Sequence, residues 1–258
     1  MFKAILWDVD GTLAETERDG HRVAFNLAFE AFGLPWRWDE RHYGDLLNIT
    51  GGRERLLYDM AQRGDVPAVP GEGERLARAI HERENTVYGQ LMHQRAIPFR
   101  AGVPELLEQC RTEDVRVAIT TTTSRSNVDA LLRSHFGAPW QERFAGVVCG
   151  EDVRSKKPDP EAYLKTLAIL ALRPQDTLAI EDSPGGVAAA RAADIPVVVT
   201  RSHYFCAAPI DGAIALGPGL HQRRGWRPAL PGGLDVGPVG LNDLRGWFAE
   251  AQSVPQFP

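Results

Sequence analysis

The chain is 258 residues long, 43% hydrophobic and 24% charged, which suits one large globular domain or one domain carrying an insertion. A net charge of -5 and a pI near 5.8 provide no positive field, so neither nucleic acid nor an anionic membrane is expected as a partner. Three scattered cysteines, Cys110, Cys149 and Cys206, form no disulfide framework or metal spacing, and no run of about 18 apolar residues is present to span a bilayer.

The first element is the apolar run Ala4-Ile5-Leu6-Trp7, a buried strand that ends where Asp8-Val9-Asp10-Gly11-Thr12-Leu13 begins. Asp8 and Asp10 leave the same side of an extended chain, and Val9 points inward. Gly11 permits a sharp turn, and a backbone amide can meet an anion there. Two carboxylates this close repel unless a cation or a proton sits between them. Mg²⁺, a hard ion that takes oxygen ligands and substrate phosphates, is the natural neutraliser. Asp can also accept a phosphoryl group itself. Taken alone, the pair reads equally well as the cap of a turn. Because the chain enters a strand and a candidate site at once, no cleaved signal peptide is expected, and a reducing cytoplasm is the simplest location.

After Leu13 the period becomes helical. Val23, Leu27, Ala28, Ala31 and Phe32 fall on one face between about Glu17 and Phe32, and Gly33 stops the helix. Arg53 to Arg63 and Glu74 to Gln94 read as two more helices, and strand-like runs are absent from Thr16 to Arg95. Residues 16–95 therefore read as a helical cap inserted into a core formed by residues 1–15 and 96–258. Pro98 marks the return to that core.

From there strands and helices alternate, as in a parallel sheet with right-handed crossovers. A helix at Val103 to Cys110 precedes the strand Val115 to Thr120, and a helix at Asn127 to His135 precedes the strand Gly146 to Cys149. Asp159 is placed to cap a helix that has Pro160 first and runs to Leu170. Thr177 to Ile180 is a strand, and Ser183-Pro184 starts a helix reaching Arg191, with Ala188, Ala189 and Ala190 suited to lying close on a sheet. Pro196 to Thr200 is the last clear strand. Gly217 to Gly240, dense in Gly and Pro, predicts irregular coil on the core, with Arg223, Arg224 and Arg227 a solvated loop. Leu241, Leu244, Trp247, Phe248 and Ala251 fit a final amphipathic helix. The fold class expected is α/β, a Rossmann-like doubly wound parallel sheet with a helical cap.

Three further strands end in polar groups suited to the chemistry of Asp8. Thr121-Thr122-Thr123-Ser124 is a cluster of hydroxyls at a helix start, where phosphate binds. Lys156-Lys157-Pro158-Asp159-Pro160 holds a lysine in a rigid frame. Glu181-Asp182 adds two acids before Ser183, more than a helix cap needs, and metal ligation would account for them.

In order and spacing these motifs resemble the haloacid dehalogenase superfamily of phosphatases and phosphomutases. Asp8-Val9-Asp10-Gly11-Thr12 is similar to its first motif, Thr121 to its second, Lys157 to its third and Glu181-Asp182 to its fourth. The resemblance implies that Asp8 is the nucleophile and Asp10 the acid/base. It also implies Mg²⁺ held by Asp8, the Asp10 carbonyl and Asp182, with Glu181 assisting. The helical insertion resembles the cap of the beta-phosphoglucomutase-like subgroup. A closer likeness, carried by Asp8 to Glu17, His21 to Asn26, Thr50 to Arg55 and Thr121 to Thr123, is to the CbbY-like xylulose-1,5-bisphosphate phosphatase subgroup linked to Rubisco. Glu84 departs from it, since such caps often have lysine there.

The expectation is a monomeric Mg²⁺-dependent phosphatase acting on a small sugar bisphosphate, xylulose-1,5-bisphosphate above others. One phosphate would react at Asp8, Thr121 and Lys157, beside Thr122 and Thr123. The other would be a handle for Arg53 and Arg55, whose forks suit phosphate, next to Gly51 and Gly52. Glu17 and His21 would meet sugar hydroxyls. The bland alternative for both arginines is a helix surface paired with Glu54 or other acids. A sugar-phosphate mutase uses the same core residues and stays open, as does a non-enzymatic binding module on the same fold. A dehalogenase is disfavoured because it needs neither Asp10 nor the clustered acids.

Overall fold

The computed structural model describes residues 1–64, 71–94, 96–230 and 236–253. Six strands form one parallel sheet: β1 (Ala4–Trp7), β2 (Arg116–Thr120), β3 (Gly146–Val148), β4 (Thr177–Glu181), β5 (Val197–Thr200) and β6 (Ala215–Gly217). Their order is β3-β2-β1-β4-β5-β6, so β1 is central, pairing Ile5 with Val117 on one side and with Leu178 on the other. The chain winds outward in both directions from β1, which leaves a crevice at the carboxyl ends of β1, β2 and β4. Ligands of doubly wound sheets bind in such a crevice.

The run Ala4–Trp7 is apolar throughout because both sheet faces are covered. Ile5 and Trp7 point to the face covered by α5 (Val103–Thr112), α6 (Arg125–Phe136) and α9 (Leu241–Ser253), among Leu106, Leu131 and Trp247. Ala4 and Leu6 point the other way, toward α7 (Glu161–Leu170) and α8 (Pro184–Ala192), where Ala189 and Ala190 let α8 approach closely. Emptying the Trp7 position, which is fully buried, would cost about 3–5 kcal/mol.

The segment between β1 and α5 is helical among the described residues. A π-turn at Glu17–His21 leads into α1 (Arg22–Ala31), followed by α2 (Glu40–Leu46), α3 (Gly52–Arg63) and α4 (Glu72–Gln94). These helices share a core of their own, with Phe25, Phe29, Trp38, Tyr43, Leu56, Met60 and Ile80 buried together. Helix α2 is not foreseen in the sequence, because its seven residues bury only Tyr43 and Leu46. Its start is marked instead by Asp39, whose carboxylate accepts from the His42 amide at 2.8 Å. The expected boundary at Arg95 lies outside the described residues.

Two other expectations shift. Pro160, not Asp159, occupies the cap position of α7, and Asp159 accepts from the Glu161 amide at 2.9 Å. Strand β6 lies beyond the last strand read from sequence and adds an edge beside β5. The coil after it lies on the core as expected, with Trp226 stacked on Trp247 at 4.7 Å, but Arg223 is tied to Asp243 at 3.0 Å rather than left to solvent. Residues 231–235 of that stretch lie outside the described residues. All three cysteines are free thiols, and no helix among the described residues is long and apolar enough to cross a membrane.

Candidate active site

Strand β1 delivers Asp8 to the crevice, and the next turn is shaped by Gly11. Its φ is 83°, and a Cβ there would collide with the Asp182 carboxylate. The turn thus brings the acid at the end of β1 against the acid after β4. Gly186 at the start of α8 serves Glu181 in the same way, since a side chain there would displace the Glu181 carboxylate. Ser183 caps α8 as its sequence predicts, accepting from the Gly186 amide at 3.1 Å.

Asp8, Glu181 and Asp182 are all buried, and one carboxylate oxygen of each lies within 4.8 Å of the others. Lys157 enters from the loop before α7 and donates to three oxygens: Asp8 Oδ1 at 2.8 Å, Glu181 Oε1 at 2.6 Å and the Thr120 carbonyl at 2.8 Å. The one ammonium reaches two of the three acids, Asp8 and Glu181. Burial pushes the Asp8 carboxyl up to about 7 despite Lys157, with Glu181 and Asp10 adding to the rise. Burial, then Asp8 and Glu181, drive Asp182 well above the carboxylate range, which a hydroxyl from Ser202 offsets only in part. Glu181 Oε2 is buried with no hydrogen-bond partner. An all-oxygen donor set with surplus negative charge and an orphaned oxygen fits a hard divalent cation.

Asp10 faces the helical segment. Burial alone would raise its carboxyl, but His21 at 3.3 Å, with hydroxyls from Thr16 at 2.6 Å and from Thr123, holds it below the usual range. His21 in turn lies 2.9 Å from Glu84 through Nδ1 and stacks on Tyr88. Although burial disfavours its charge, the two flanking acids raise it well above an ordinary histidine. Glu84, the departure noted in the sequence, is therefore the outer partner of His21.

A cavity of about 560 Å³ opens over these groups, lined by Asp8, Asp10, Thr121, Thr122, Thr123, Lys157 and Asp182 below and by Glu17, His21, Gly51, Gly52, Arg53 and Arg55 above. Glu181 is the one predicted site residue not on its wall; it sits behind, bonded to Lys157 and Tyr163. The two arginines differ. Arg55 is buried and committed, reaching Tyr43 at 2.8 Å and Glu17 at 3.3 Å, and Tyr43 also bonds Glu17. Arg53 is half exposed and lies 3.5 Å from Glu54.

Sequence reasoning missed other residues on this wall. Arg78 and His81 come from α4, and Phe205 from the loop after β5; none carried a motif. Asn85 of α4 accepts from Ser124 at 3.0 Å and from Asn127 at 2.7 Å, closing the helical segment onto α6.

Residues 2–194 match the family model of haloacid dehalogenase-like hydrolases. Protein CbbY encoded on a plasmid of Cupriavidus necator is 39% identical over 245 residues, covering 95% of this chain and 96% of its own. CbbY of Rhodobacter capsulatus is 41% identical over 202 residues, covering 78% of this chain and 86% of its own. Among solved structures, a mutant of CbbY from Rhodobacter sphaeroides in complex with xylulose-(1,5)bisphosphate superposes with a TM-score of 0.78 at 38% identity, covering 84% of this chain and 93% of that one. With four motifs gathered at one sheet edge and this likeness along most of its length, the chain belongs to the haloacid dehalogenase-like hydrolase family, in which it is a phosphatase.

Proposed function

We propose that this phosphatase is Mg²⁺-dependent and removes one phosphate from a small ketose bisphosphate, xylulose-1,5-bisphosphate, through an aspartyl-phosphate on Asp8. The observation that carries the reading is the convergence of Asp8, Asp10, Lys157 and Asp182 beneath a cavity whose upper wall bears Arg53, Arg78 and His81. The xylulose-(1,5)bisphosphate bound by the related CbbY supports the choice of substrate.

Asp8, Asp182 and the Asp10 carbonyl would hold Mg²⁺, with Glu181 behind them. When bound, the ion supplies charge neutralisation for the transferring phosphoryl group. Lys157 fixes the Asp8 carboxylate for attack and balances part of the charge, while Thr121 and its neighbouring amides bind phosphate oxygens. Asp8 attacks phosphorus, and the leaving alkoxide takes a proton that Asp10 relays from the protonated His21. Asp10 then accepts a proton from the water that attacks the aspartyl-phosphate, returning Asp8. His21, held protonated between Asp10 and Glu84, keeps that proton at hand. Residues 16–95 act as a cap that excludes bulk water.

Measuring phosphate release over a panel of sugar mono- and bisphosphates, with Mg²⁺ and with chelator, tests the reading. Release of one equivalent from a ketose bisphosphate, only with Mg²⁺, is expected. Isomerisation of a sugar monophosphate without release would establish a mutase instead.

A further inference from the structure

Lys156 and Lys157 are adjacent but face opposite ways. Lys157 is tied to three oxygens of the sheet edge. Lys156 reaches toward the cap, donating to Glu54 Oε2 at 2.7 Å across 102 residues of sequence. Both side chains line the catalytic cavity and are only partly covered, 25% and 36% exposed. Arg53 approaches the other oxygen of Glu54 at 3.5 Å. One carboxylate is thus held between two cations on the cavity wall. Burial would raise the Glu54 carboxyl, but Lys156, the Glu54 amide and Arg53 together keep it below the ordinary glutamate value, as a settled anion. The pair packs on bare backbone: a Cβ at Gly51 would strike both the Glu54 carboxylate and the Lys156 ammonium.

We propose that Glu54 is a placeholder for the second phosphate of the substrate, and that Lys156 exchanges Glu54 for that phosphate and so selects bisphosphates over monophosphates. The inference rests on the reading of the substrate as a bisphosphate. The physics favours exchange. A half-exposed ion pair is weak in water, so parting it costs little. A phosphate dianion brings twice the charge of a carboxylate and three acceptor oxygens, enough to engage Lys156 and Arg53 together. A sugar monophosphate reacting at Asp8 has no second anion to offer. Glu54 then stays in place, and the binding energy of the two cations is not gained.

The test compares kcat/KM for a sugar bisphosphate and for the matching monophosphate in the wild type, Lys156→Ala and Glu54→Gln. Lys156→Ala is expected to lower the preference for the bisphosphate about tenfold, mainly through KM. Glu54→Gln, which removes the competing charge, should raise that preference severalfold. Two variants that change the preference in the same direction, or leave it alone, would mark the pair as a structural tie and overturn the exchange. Thermal melts verify that both variants fold; should Lys156→Ala fail, Lys156→Gln keeps the stem and gives the same readout. A wild type with no preference for bisphosphates refutes the underlying substrate reading and is seen before any variant is made.

Discussion

Replacing Asp8 by Asn removes the proposed nucleophile, and the structure makes a second claim about that change. Asp8 is buried among Glu181, Asp182 and Asp10 with Lys157 as its cationic contact. Raising a carboxyl from 3.8 to about 7 corresponds to about 4 kcal/mol, at about 1.4 kcal/mol per unit. The sign follows from proton counting. The folded state binds this proton more tightly than the unfolded chain, so its contribution is intact below pH 4 and is lost as pH rises through about 7. In metal-free protein at pH 8, Asp8 therefore opposes folding. An Asn amide keeps an oxygen for Lys157 and carries no charge. The expected outcome in chelator is an Asp8→Asn variant more stable than wild type at pH 8, by up to about 4 kcal/mol, with the gap shrinking toward pH 5. Urea unfolding at the two pH values measures it. Turnover should fall at least about a thousandfold in the same variant. A variant less stable than wild type at pH 8, or a gap independent of pH, would refute the account of buried, uncompensated charge. Substantial turnover in the folded variant would remove Asp8 as the nucleophile.

Two further outcomes are expected. Asp182→Ala should move the midpoint of activation by Mg²⁺ upward at least about tenfold while the protein still folds, because relief of the repulsion with Asp8 and Glu181 offsets the lost packing; an unchanged midpoint in a Mg²⁺ titration would rule Asp182 out as a ligand. Arg53→Ala should raise KM for a sugar bisphosphate about tenfold and cost far less on a small aryl monophosphate, read from paired steady-state assays; equal losses would assign Arg53 a structural role.

The groups at the sheet edge were legible because each follows a strand whose apolar run is covered on both faces. Asp8 closes Ala4–Trp7, Thr121 closes β2 and Asp182 closes β4, so once the strands are found the carboxyl edge is found. Gly11 and Gly186 then bring the acids together, and their need for glycine is local. The cap was less legible. Its helices are readable where they carry a long apolar face, as in α1 and α4, whereas the seven residues of α2, about two turns, are too few to show a period. Strand β6, three residues long at an edge, gave no alternation to count.

Pairings between distant segments left no sequence signal at all. Arg55 with Glu17 and Tyr43, His21 with Glu84, and Lys156 with Glu54 each join residues whose neighbours in the chain say nothing of the partner. The Gly51-Gly52 lead-in and the family likeness send both Arg53 and Arg55 toward a phosphate. Residues two apart on a helix diverge, and although both line the cavity, Arg55 is buried against Glu17 and Tyr43 while Arg53 is half exposed.

The measurement closest to the central claim is rapid acid quenching of the wild-type enzyme during turnover of xylulose-1,5-bisphosphate labelled in its phosphates, followed by mapping of the protein-bound label. Label is expected on the peptide carrying Asp8, present only with Mg²⁺, absent in Asp8→Asn and decaying as phosphate appears. Phosphate release at full rate with no label on that peptide at any quench time would contradict it, because water would then be attacking the substrate directly.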